Sequence, residues 1–192
     1  MVIQNDPVQA DRREVQKSLI SRFRRIQGQI RGIRRMVASG EKSVQDIFIQ
    51  LSAVKAALDR ASMLVLENHM LNCLAPARNP EDLQKQRERL VQFIRNYKYG
   101  TIASPCGTMD VDVLLQQAQE TVGQVIDTVL TGDTENKCSA VLHDTSEIRD
   151  LLNSTSIALF EAEVGRTLFE DGQCDRGEQL EFVLQMAKKF IV

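Results

Sequence analysis

The stretch that decides the fold begins at Ser18 as SLISRFRRIQGQIRGIRRM and, after a short break, resumes at Val44 as VQDIFIQLSAVKAALDRASMLVLENHMLNCLA. Apolar residues recur in both segments at steps of three and four, the period of one helix face. In the first segment they are Leu19, Phe23, Ile26, Ile30, Ile33 and Val37; in the second they are Ile47, Phe48, Leu51, Val54, Leu58, Ala61, Val65 and Leu66. The pattern predicts two long amphipathic helices.

Helix stop and start signals mark the ends of these segments and the beginning of a third helix. Gly40 fits a helix end, and Ser43 with Asp46 three residues later fits a capped start. Asn79-Pro80-Glu81-Asp82 is a further helix start, with a cap, a proline in the first turn and acids at the positive end of the dipole. The third helix is expected to run to about Tyr97. Strand signals are absent, so the fold class predicted is all-α.

The second half of the chain follows the same plan. Residues 99–108 (YGTIASPCGT) are small and uncharged, and they predict a linker. A helix at about 109–131, a long helix at about 138–168 and a last helix to Val192 are expected after it. Ser52–Asp59 lies over Ser146–Asn153 with a shift of 94 residues. We therefore predict an internal repeat, with units at 1–98 and 109–192; two unrelated helical hairpins of similar length are the plainer alternative.

Charge separates the two halves. The net charge of the chain is −2, yet residues 1–100 carry 18 Lys and Arg against 10 Asp and Glu, whereas residues 101–192 carry 6 against 16. A basic half joined to an acidic half indicates a nucleic-acid-binding segment beside a segment that does not contact nucleic acid. The polar start of the chain lacks a signal-peptide core, and no apolar run is long enough to span a membrane. A cytoplasmic protein without membrane contact is expected.

The four cysteines are therefore read as thiols, because disulfides are uncommon in the cytosol. None of them forms a CxxC pair. His69 and Cys73 are four residues apart, so one helical face presents both. Cys106 and Cys174 fall in the linker and a loop and are interpreted as spare thiols, and His143 has no evident partner.

The first half resembles the CsoR/RcnR/FrmR repressors through RFRRIQGQIRGIRRM, QLSAVKAALD and ENHMLNCL, over about residues 18–97. The resemblance implies three-helix units that pair and then double to a tetramer. It also implies a sensing site between protomers, with one Cys at the start of helix two and His-x-x-x-Cys near its end in the partner. The second half, in this interpretation, is a degenerate acidic copy, and the chain is a fused pseudo-dimer of two tandem units.

The two copies depart from that family pattern in complementary ways. The first Cys of the family pattern falls on Val44 here, and the 94-residue shift carries Val44 to Cys138. The same shift carries His69 to Glu163 and Cys73 to Thr167. If the copies pair as family protomers do, Cys138 completes one site with His69 and Cys73, and the opposite site is inactive. Two thiolates and an imidazole suit Cu(I), with Ni(II) or Zn(II) possible if a fourth group joins, and no organic cofactor is expected.

The arginines of the first helix predict a DNA surface. No acid falls between Lys17 and Glu41, so pairs within the helix cannot neutralise them, and such a cluster costs stability unless it meets a polyanion. The corresponding helix of the second half, VDVLLQQAQETVGQVIDTVL, contains no basic residue. The residues expected to contact double-stranded operator DNA are Arg22, Arg24, Arg25, Arg31, Arg34, Arg35, Lys55 and Arg60. A solvated helix face remains the plainer interpretation.

The function predicted is a DNA-binding repressor, self-associated as a dimer of fused chains, whose DNA affinity falls when an effector binds. The resemblance leaves formaldehyde or persulfide open as effectors. Aldehyde sensors of the family carry a proline after the initiator Met, where this chain has Val2, and retained His69 favours a metal over a sulfur species. A constitutive DNA-binding protein with a vestigial site and a metal-handling protein without a DNA role are further alternatives. No motif indicates an enzyme.

Overall fold

A computed structural model describes residues 7–69, 79–85, 88, 110–131 and 134–166, of which 7–12, 69 and 134–137 are described by their backbone alone. Within these ranges, helix is the only regular structure, as predicted. Four helices carry the fold: α1 (Pro7–Ser39), α2 (Val44–His69), α3 (Val111–Leu130) and α4 (Thr134–Gly165). Residues 80–85 add a short helical segment. The predicted linker at 99–108, the last helix to Val192 and the end of the third helix near Tyr97 lie outside the described residues.

The predicted helix ends are confirmed by backbone geometry and capping bonds. Gly40 has φ +63°, the left-handed conformation that glycine adopts without strain after a helix end. Ser43 Oγ accepts a hydrogen bond from the Asp46 backbone N–H at 3.1 Å and donates to the Asp46 carboxylate at 2.8 Å. Asn79 Oδ1 accepts from the Asp82 backbone N–H at 2.8 Å. These caps satisfy N–H groups that have no partner within the helix.

The helices of the second half begin differently from each other. Asp110 caps α3 by accepting from the Asp112 backbone N–H, close to the expected start at 109. The fourth helix begins at Thr134 rather than at about 138. Its first turn, Thr134-Glu135-Asn136-Lys137, lacks apolar residues, which is why the hydrophobic period alone placed the start too late. Cys138 consequently lies inside the helix, one turn beyond its start.

The four helices pack as a bundle around one core. Helix α1 packs against α2 and α3, and α4 packs against α3 and α2. All six apolar positions predicted for the first helix either line this core or pack against it, and the largest fully buried side chain is Phe23. The two halves therefore share a single core instead of folding side by side.

Burial follows the same pattern in both halves. Positions 94 residues apart are buried in both α2 and α4: Ile47/Val141, Phe48/Leu142, Leu51/Thr145, Val54/Ile148, Leu58/Leu152, Ala61/Thr155, Ser62/Ser156 and Val65/Leu159. Positions 92 residues apart are buried in both α1 and α3: Phe23/Leu115, Ile26/Ala118, Ile30/Val122 and Ile33/Val125. The two shifts differ by two because the matched positions of α1 and α2 lie two residues closer in sequence than those of α3 and α4. An internal repeat with this difference in length predicts the pattern.

Two buried hydroxyls repeat the correspondence at the level of single hydrogen bonds. Ser62 Oγ donates to the Leu58 carbonyl at 3.0 Å, and Ser156 Oγ donates to the Leu152 carbonyl at 2.9 Å. Both serines are almost fully buried, so each hydroxyl needs this partner four residues earlier in its helix. The donor Ser156 and the acceptor Leu152 lie 94 residues after the donor Ser62 and the acceptor Leu58, so the two hydrogen bonds occupy equivalent positions.

Candidate functional site

The contact between α2 and α4 has a register that two polar pairs define. Arg149 Nη2 lies 3.1 Å from the Asp59 carboxylate, and Lys55 Nζ donates to Asn153 Oδ1 at 3.3 Å. Asp59 lies four residues after Lys55, whereas Arg149 lies four residues before Asn153. The two helices therefore run antiparallel, and each step forward along α2 matches one step backward along α4.

This register brings Cys138 level with the end of α2. Cys138 lies eleven residues before Arg149, and His69, the last residue of α2, lies ten residues after Asp59. At a rise of about 1.5 Å per residue, Cys138 lies roughly 16 Å and His69 roughly 15 Å from the Asp59–Arg149 pair, in the same direction along the bundle. Cys138 is a buried thiol that packs in the core. His69 is the last residue of α2, but its side chain and Cys73 lie outside the described residues.

The opposite end of the α2–α4 contact carries different chemistry. Val44, the counterpart of Cys138, is partly buried and packs against the core. Glu163, the counterpart of His69, forms an ion pair with Arg166 in its own helix, with oxygen–nitrogen distances of 2.7 and 3.2 Å. Thr167 lies outside the described residues. An aliphatic side chain and a carboxylate held by an arginine offer no thiolate to a soft metal ion.

Burial shifts the pKa of two charged groups, one on α2 and one on α4. Lys55 is more than half buried, and this burial, together with the neighbouring Arg149, lowers its pKa below the usual 10.5. Asp150 on α4 is also partly buried, which raises its pKa above the usual 3.8. Partial burial disfavours the charged form of both groups. Lys55 is therefore a component of the contact between the halves, and its amine is less available to DNA than the sequence pattern suggests.

The predicted DNA-binding residues fall into two groups. Six of the eight have exposed side chains: Arg22, Arg24, Arg25, Arg31, Arg35 and Arg60. The other two, Arg34 and Lys55, are only partly exposed and contact the second half. Arg24, Arg31 and Arg35 are spaced so that one stripe of α1 presents them together.

Arg34 is held by an acid of the second half. Its Nε and Nη2 donate to the two carboxylate oxygens of Asp112 on α3, both at 2.8 Å, and Nη2 also lies 3.5 Å from Gln116 Oε1. The bonds to Asp112 raise the pKa of Arg34, and the same bonds lower the pKa of Asp112. This bidentate arrangement is the strongest geometry for an arginine–carboxylate pair. The arginine is thus paired across the bundle.

The neighbouring helix α3 lacks the arginines of α1 altogether. Its exposed face carries Glu120 and Asp127, and its only other charged residue is Asp112. Helices α1 and α3 lie side by side, so the basic surface borders an acidic one. A polyanion would be attracted to the α1 side of the bundle and repelled from the α3 side.

One group of metal-ligating side chains was not predicted. His143, Asp144 and Glu147 on α4 place potential ligand atoms within 4.8 Å of one another, and His143 Nδ1 lies 3.6 Å from Asp144 Oδ1. It is the only such group in the described ranges, and His143 is 80% exposed. The spacing of four residues between His143 and Glu147 is the sequence signal that could have indicated it.

No helix among the described residues is both long and apolar enough to span a membrane.

Comparison with known proteins shows which family the first half of the chain resembles. The family model for metal-sensitive transcriptional repressors matches residues 15–96. The copper-sensing transcriptional repressor CsoR of Bacillus subtilis is 34% identical over 79 residues, which cover 41% of this chain and 77% of that protein. The chain belongs to the family of metal-sensitive transcriptional repressors.

Two further proteins are also similar to the first half of this chain. The copper-sensing transcriptional repressor RicR of Mycobacterium tuberculosis is 39% identical over 56 residues, covering 29% of this chain and 57% of that protein. An uncharacterised protein in the bioA 5′ region of Serratia marcescens is 34% identical over 83 residues, covering 43% of this chain and 90% of that protein. No solved structure matches the chain significantly. The family consists of repressors and not of enzymes, which agrees with the absence of an enzymatic motif.

The match begins within α1, covers all of α2 and extends to residue 96, and it therefore includes the arginine-rich surface together with His69 and Cys73. Cys138 lies beyond the matched residues. A complete site of the kind predicted from the sequence thus requires a contribution from outside the region that defines the family.

Proposed function

We propose that this family member is a DNA-binding transcriptional repressor whose DNA affinity falls when a metal ion binds between the two halves of the chain. His69 and Cys73 from the end of α2 and Cys138 from α4 are the proposed ligands. The exposed arginines of α1 provide the DNA surface. The acidic second half supplies a ligand and a packing partner but no DNA contact.

The observation that carries this proposal is the register between α2 and α4. The Asp59–Arg149 and Lys55–Asn153 pairs set a register in which Cys138 and the last residue of α2, His69, lie at about the same level along the bundle. A cysteine one helical turn further along α4 would lie about 5.4 Å from the level of His69. The matching burial of residues 94 apart supports the internal repeat from which this pairing was derived.

Cu(I) is the proposed effector. The named relatives in Bacillus subtilis and Mycobacterium tuberculosis are copper-sensing repressors. Two thiolates and one imidazole form a soft donor set, and Cys138 lies in a buried, largely apolar environment that suits a low-coordinate soft ion. Ni(II) requires a fourth ligand in addition to these three, and it is proposed only as a weaker competitor. Binding would deprotonate the thiols.

The exposed arginines of α1 support the DNA-binding part of the proposal. Their side chains extend from one helix with no acid among residues 18–40, and the family to which the chain belongs represses transcription. Contacts of this kind hold phosphates and position the protein, while sequence is read partly through DNA shape. Self-association into a dimer of fused chains would place two arginine surfaces along one duplex.

Coupling between the sites follows from their position in the bundle. The proposed metal site joins α2 to α4, and α2 packs directly against α1, which carries the arginines. A metal ion that draws α4 towards the end of α2 changes the position of α1 relative to its neighbours. A coupling of about 1–3 kcal/mol would suffice for a switch, and DNA would weaken metal binding by the same factor.

The test is a DNA-binding titration with and without Cu(I) under anaerobic conditions. Duplexes enriched from a random-sequence pool by binding to the metal-free protein serve as the DNA, and fluorescence anisotropy reports the affinity. We expect Cu(I) to weaken binding by about 5- to 150-fold in the wild type and to have no effect in Cys138→Ala. Cys174→Ala is the matched control and should respond as the wild type does. Unchanged affinity in the wild type after Cu(I) is bound would exclude a sensor.

A further inference from the structure

The contact between α1 and α3 is where the first helices of the two halves meet. Gln16 Nε2 donates to the Val129 carbonyl at 2.6 Å, Gln27 Nε2 donates to the Gln119 carbonyl at 3.4 Å, and Arg34 binds Asp112. Partners move backward along α3 as they move forward along α1. The helices are therefore antiparallel, and they stay in contact from Gln16 to Arg34.

The centre of this contact pairs equivalent positions. The shift of 92 residues that matches buried positions of α1 and α3 carries Gln27 to Gln119, the residue whose carbonyl it contacts. A residue that meets its own counterpart lies on the local two-fold axis relating the paired helices. Each pair of facing positions on one side of Gln27 therefore corresponds to a pair of positions on the other side.

The counterpart of the Arg34–Asp112 pair is apolar. A shift of 92 residues carries Arg34 to Ile126, and the reverse shift carries Asp112 to Ile20. Ile126 is buried, and Ile20 packs against the same core. The antiparallel register brings these isoleucines to one level, between the Gln16 and Gln27 contacts. One end of the contact is thus ionic and the equivalent end is aliphatic.

We propose that this arrangement makes unlike halves pair with each other and prevents like halves from pairing. If first halves of two chains paired, Arg34 of each chain would meet Ile20 of the other. If second halves paired, each Asp112 would meet an Ile126. Both arrangements leave two charged groups against aliphatic side chains. In the unlike pair, Arg34 binds Asp112, and Ile20 lies level with Ile126. Repulsion among the arginines of two α1 helices adds to this discrimination.

This inference rests on the repeat within the proposed function and determines how many effector sites form. Pairing of two first halves would place Val44 opposite the His69 segment and leave the ligand set without Cys138. Pairing of unlike halves gives one Cys138 for each His69 and Cys73. The Arg34–Asp112 pair therefore acts as a specificity determinant for a complete site, although neither residue is a proposed ligand.

The test uses Gln27, because a cysteine there meets its own counterpart only when two first halves pair. Gln27→Cys is introduced into the full chain with Cys73, Cys106, Cys138 and Cys174 replaced by Ala. The chain is refolded at low concentration and treated with a short bis-maleimide, and chain-to-chain products are separated under denaturing conditions. Ser21→Cys, an exposed position on α1, gives the collision background.

With Arg34 and Asp112 intact, we expect products no more abundant than the Ser21→Cys background. The double variant Arg34→Ile/Asp112→Ile removes the charge mismatch, and products should increase several-fold. The exchanged pair Arg34→Asp/Asp112→Arg should return them to background, and circular dichroism checks that each variant folds.

Equal product in the intact and isoleucine variants, whether low or high, would overturn the inference, because the linker or chance would then decide pairing. The assay uses neither metal nor DNA. Its failure would therefore leave the repressor proposal intact, and a repressor insensitive to Cu(I) would leave this result intact.

Discussion

Asp59 of α2 and Arg149 of α4 form an ion pair that is one of two equivalent contacts in the bundle. A shift of 94 residues carries Lys55 to Arg149 and Asp59 to Asn153. The Lys55–Asn153 hydrogen bond therefore joins the positions equivalent to Arg149 and Asp59, with the two halves exchanged. The acid is replaced by an amide in the second copy, which weakens one contact and keeps its geometry. This correspondence between individual side-chain contacts supports a two-fold arrangement of the halves.

The Asp59–Arg149 pair should show measurable coupling. Both side chains are partly exposed, so we expect a double-mutant cycle of Asp59→Ala and Arg149→Ala to give about 0.5–1 kcal/mol. Urea unfolding of the four proteins measures it. A cycle of Asp59→Ala with Arg166→Ala, whose ion pair is with Glu163, should give no coupling. Equal coupling in both cycles would indicate that the contact is not specific.

Equivalent core positions should respond alike to truncation. Leu58 and Leu152 are both fully buried and occupy positions 94 residues apart. We expect Leu58→Ala and Leu152→Ala each to lower the free energy of unfolding by about 2–5 kcal/mol, through lost burial and a cavity. Leu130→Ala is the control, since Leu130 is 48% exposed, and it should cost clearly less. A tolerated Leu152→Ala would show that the second half does not share the core.

Acid should remove part of the stability contributed by Asp112. Its pKa is lowered from 3.8 because Arg34 donates two hydrogen bonds to it, so the unfolded chain takes up the proton first as the pH falls. The contribution is complete above pH 3.8 and is lost as the pH falls through the lowered value. Urea unfolding between pH 5 and 3 should therefore show a flatter loss of stability in Asp112→Asn than in the wild type.

Asp150→Asn provides a control of opposite sign. Burial raises the pKa of Asp150, so the folded state takes up that proton first, and acid relieves an unfavourable charge. Removing this carboxyl should make the loss of stability on acidification steeper. If Asp112→Asn and Asp150→Asn changed the slope in the same direction, the assignment of the two groups would be incorrect.

Exposed and paired arginines should differ in their effect on DNA binding. Arg31→Ala is expected to reduce the slope of log affinity against log salt by about 1, because one phosphate contact is lost. Arg34→Ala should change this slope much less and should lower the free energy of unfolding instead, because Asp112 loses its partner. Anisotropy titrations on a random-sequence duplex at several salt concentrations measure the slopes. A larger change in Arg34→Ala would mean that Arg34 leaves Asp112 to bind DNA.

The helices and their ends were largely predictable from the sequence. The apolar period identified the faces of α1 and α2, and Gly40, Ser43 and Asn79 marked ends that the structure confirms. The start of α4 was predicted too late because its first turn is polar and carries no apolar period. The apolar period thus predicts the start of a helix well where the first turn is buried, and poorly where the helix extends beyond its contacts with the core.

Tertiary partners were not predictable from the sequence pattern. Arg34 looks like its neighbours in sequence, and only the packing of α3 against α1 shows that Asp112 pairs with it. The sequence pattern likewise predicts a DNA contact for Lys55 and does not indicate that its amine donates to Asn153 Oδ1. The pairing of charges across a bundle depends on register between helices far apart in sequence, which hydrophobic period does not encode. The site formed by His69, Cys73 and Cys138 stays a prediction.

The most direct test of that site is an anaerobic Cu(I) titration of the wild type beside Cys138→Ala, with a competing chelator to set the affinity scale. Cys106→Ala serves as the matched control for the loss of a thiol. We predict one tight equivalent per chain in the wild type and in Cys106→Ala, and its loss in Cys138→Ala. Tight binding of one equivalent that persists in Cys138→Ala would contradict a site shared between the two halves.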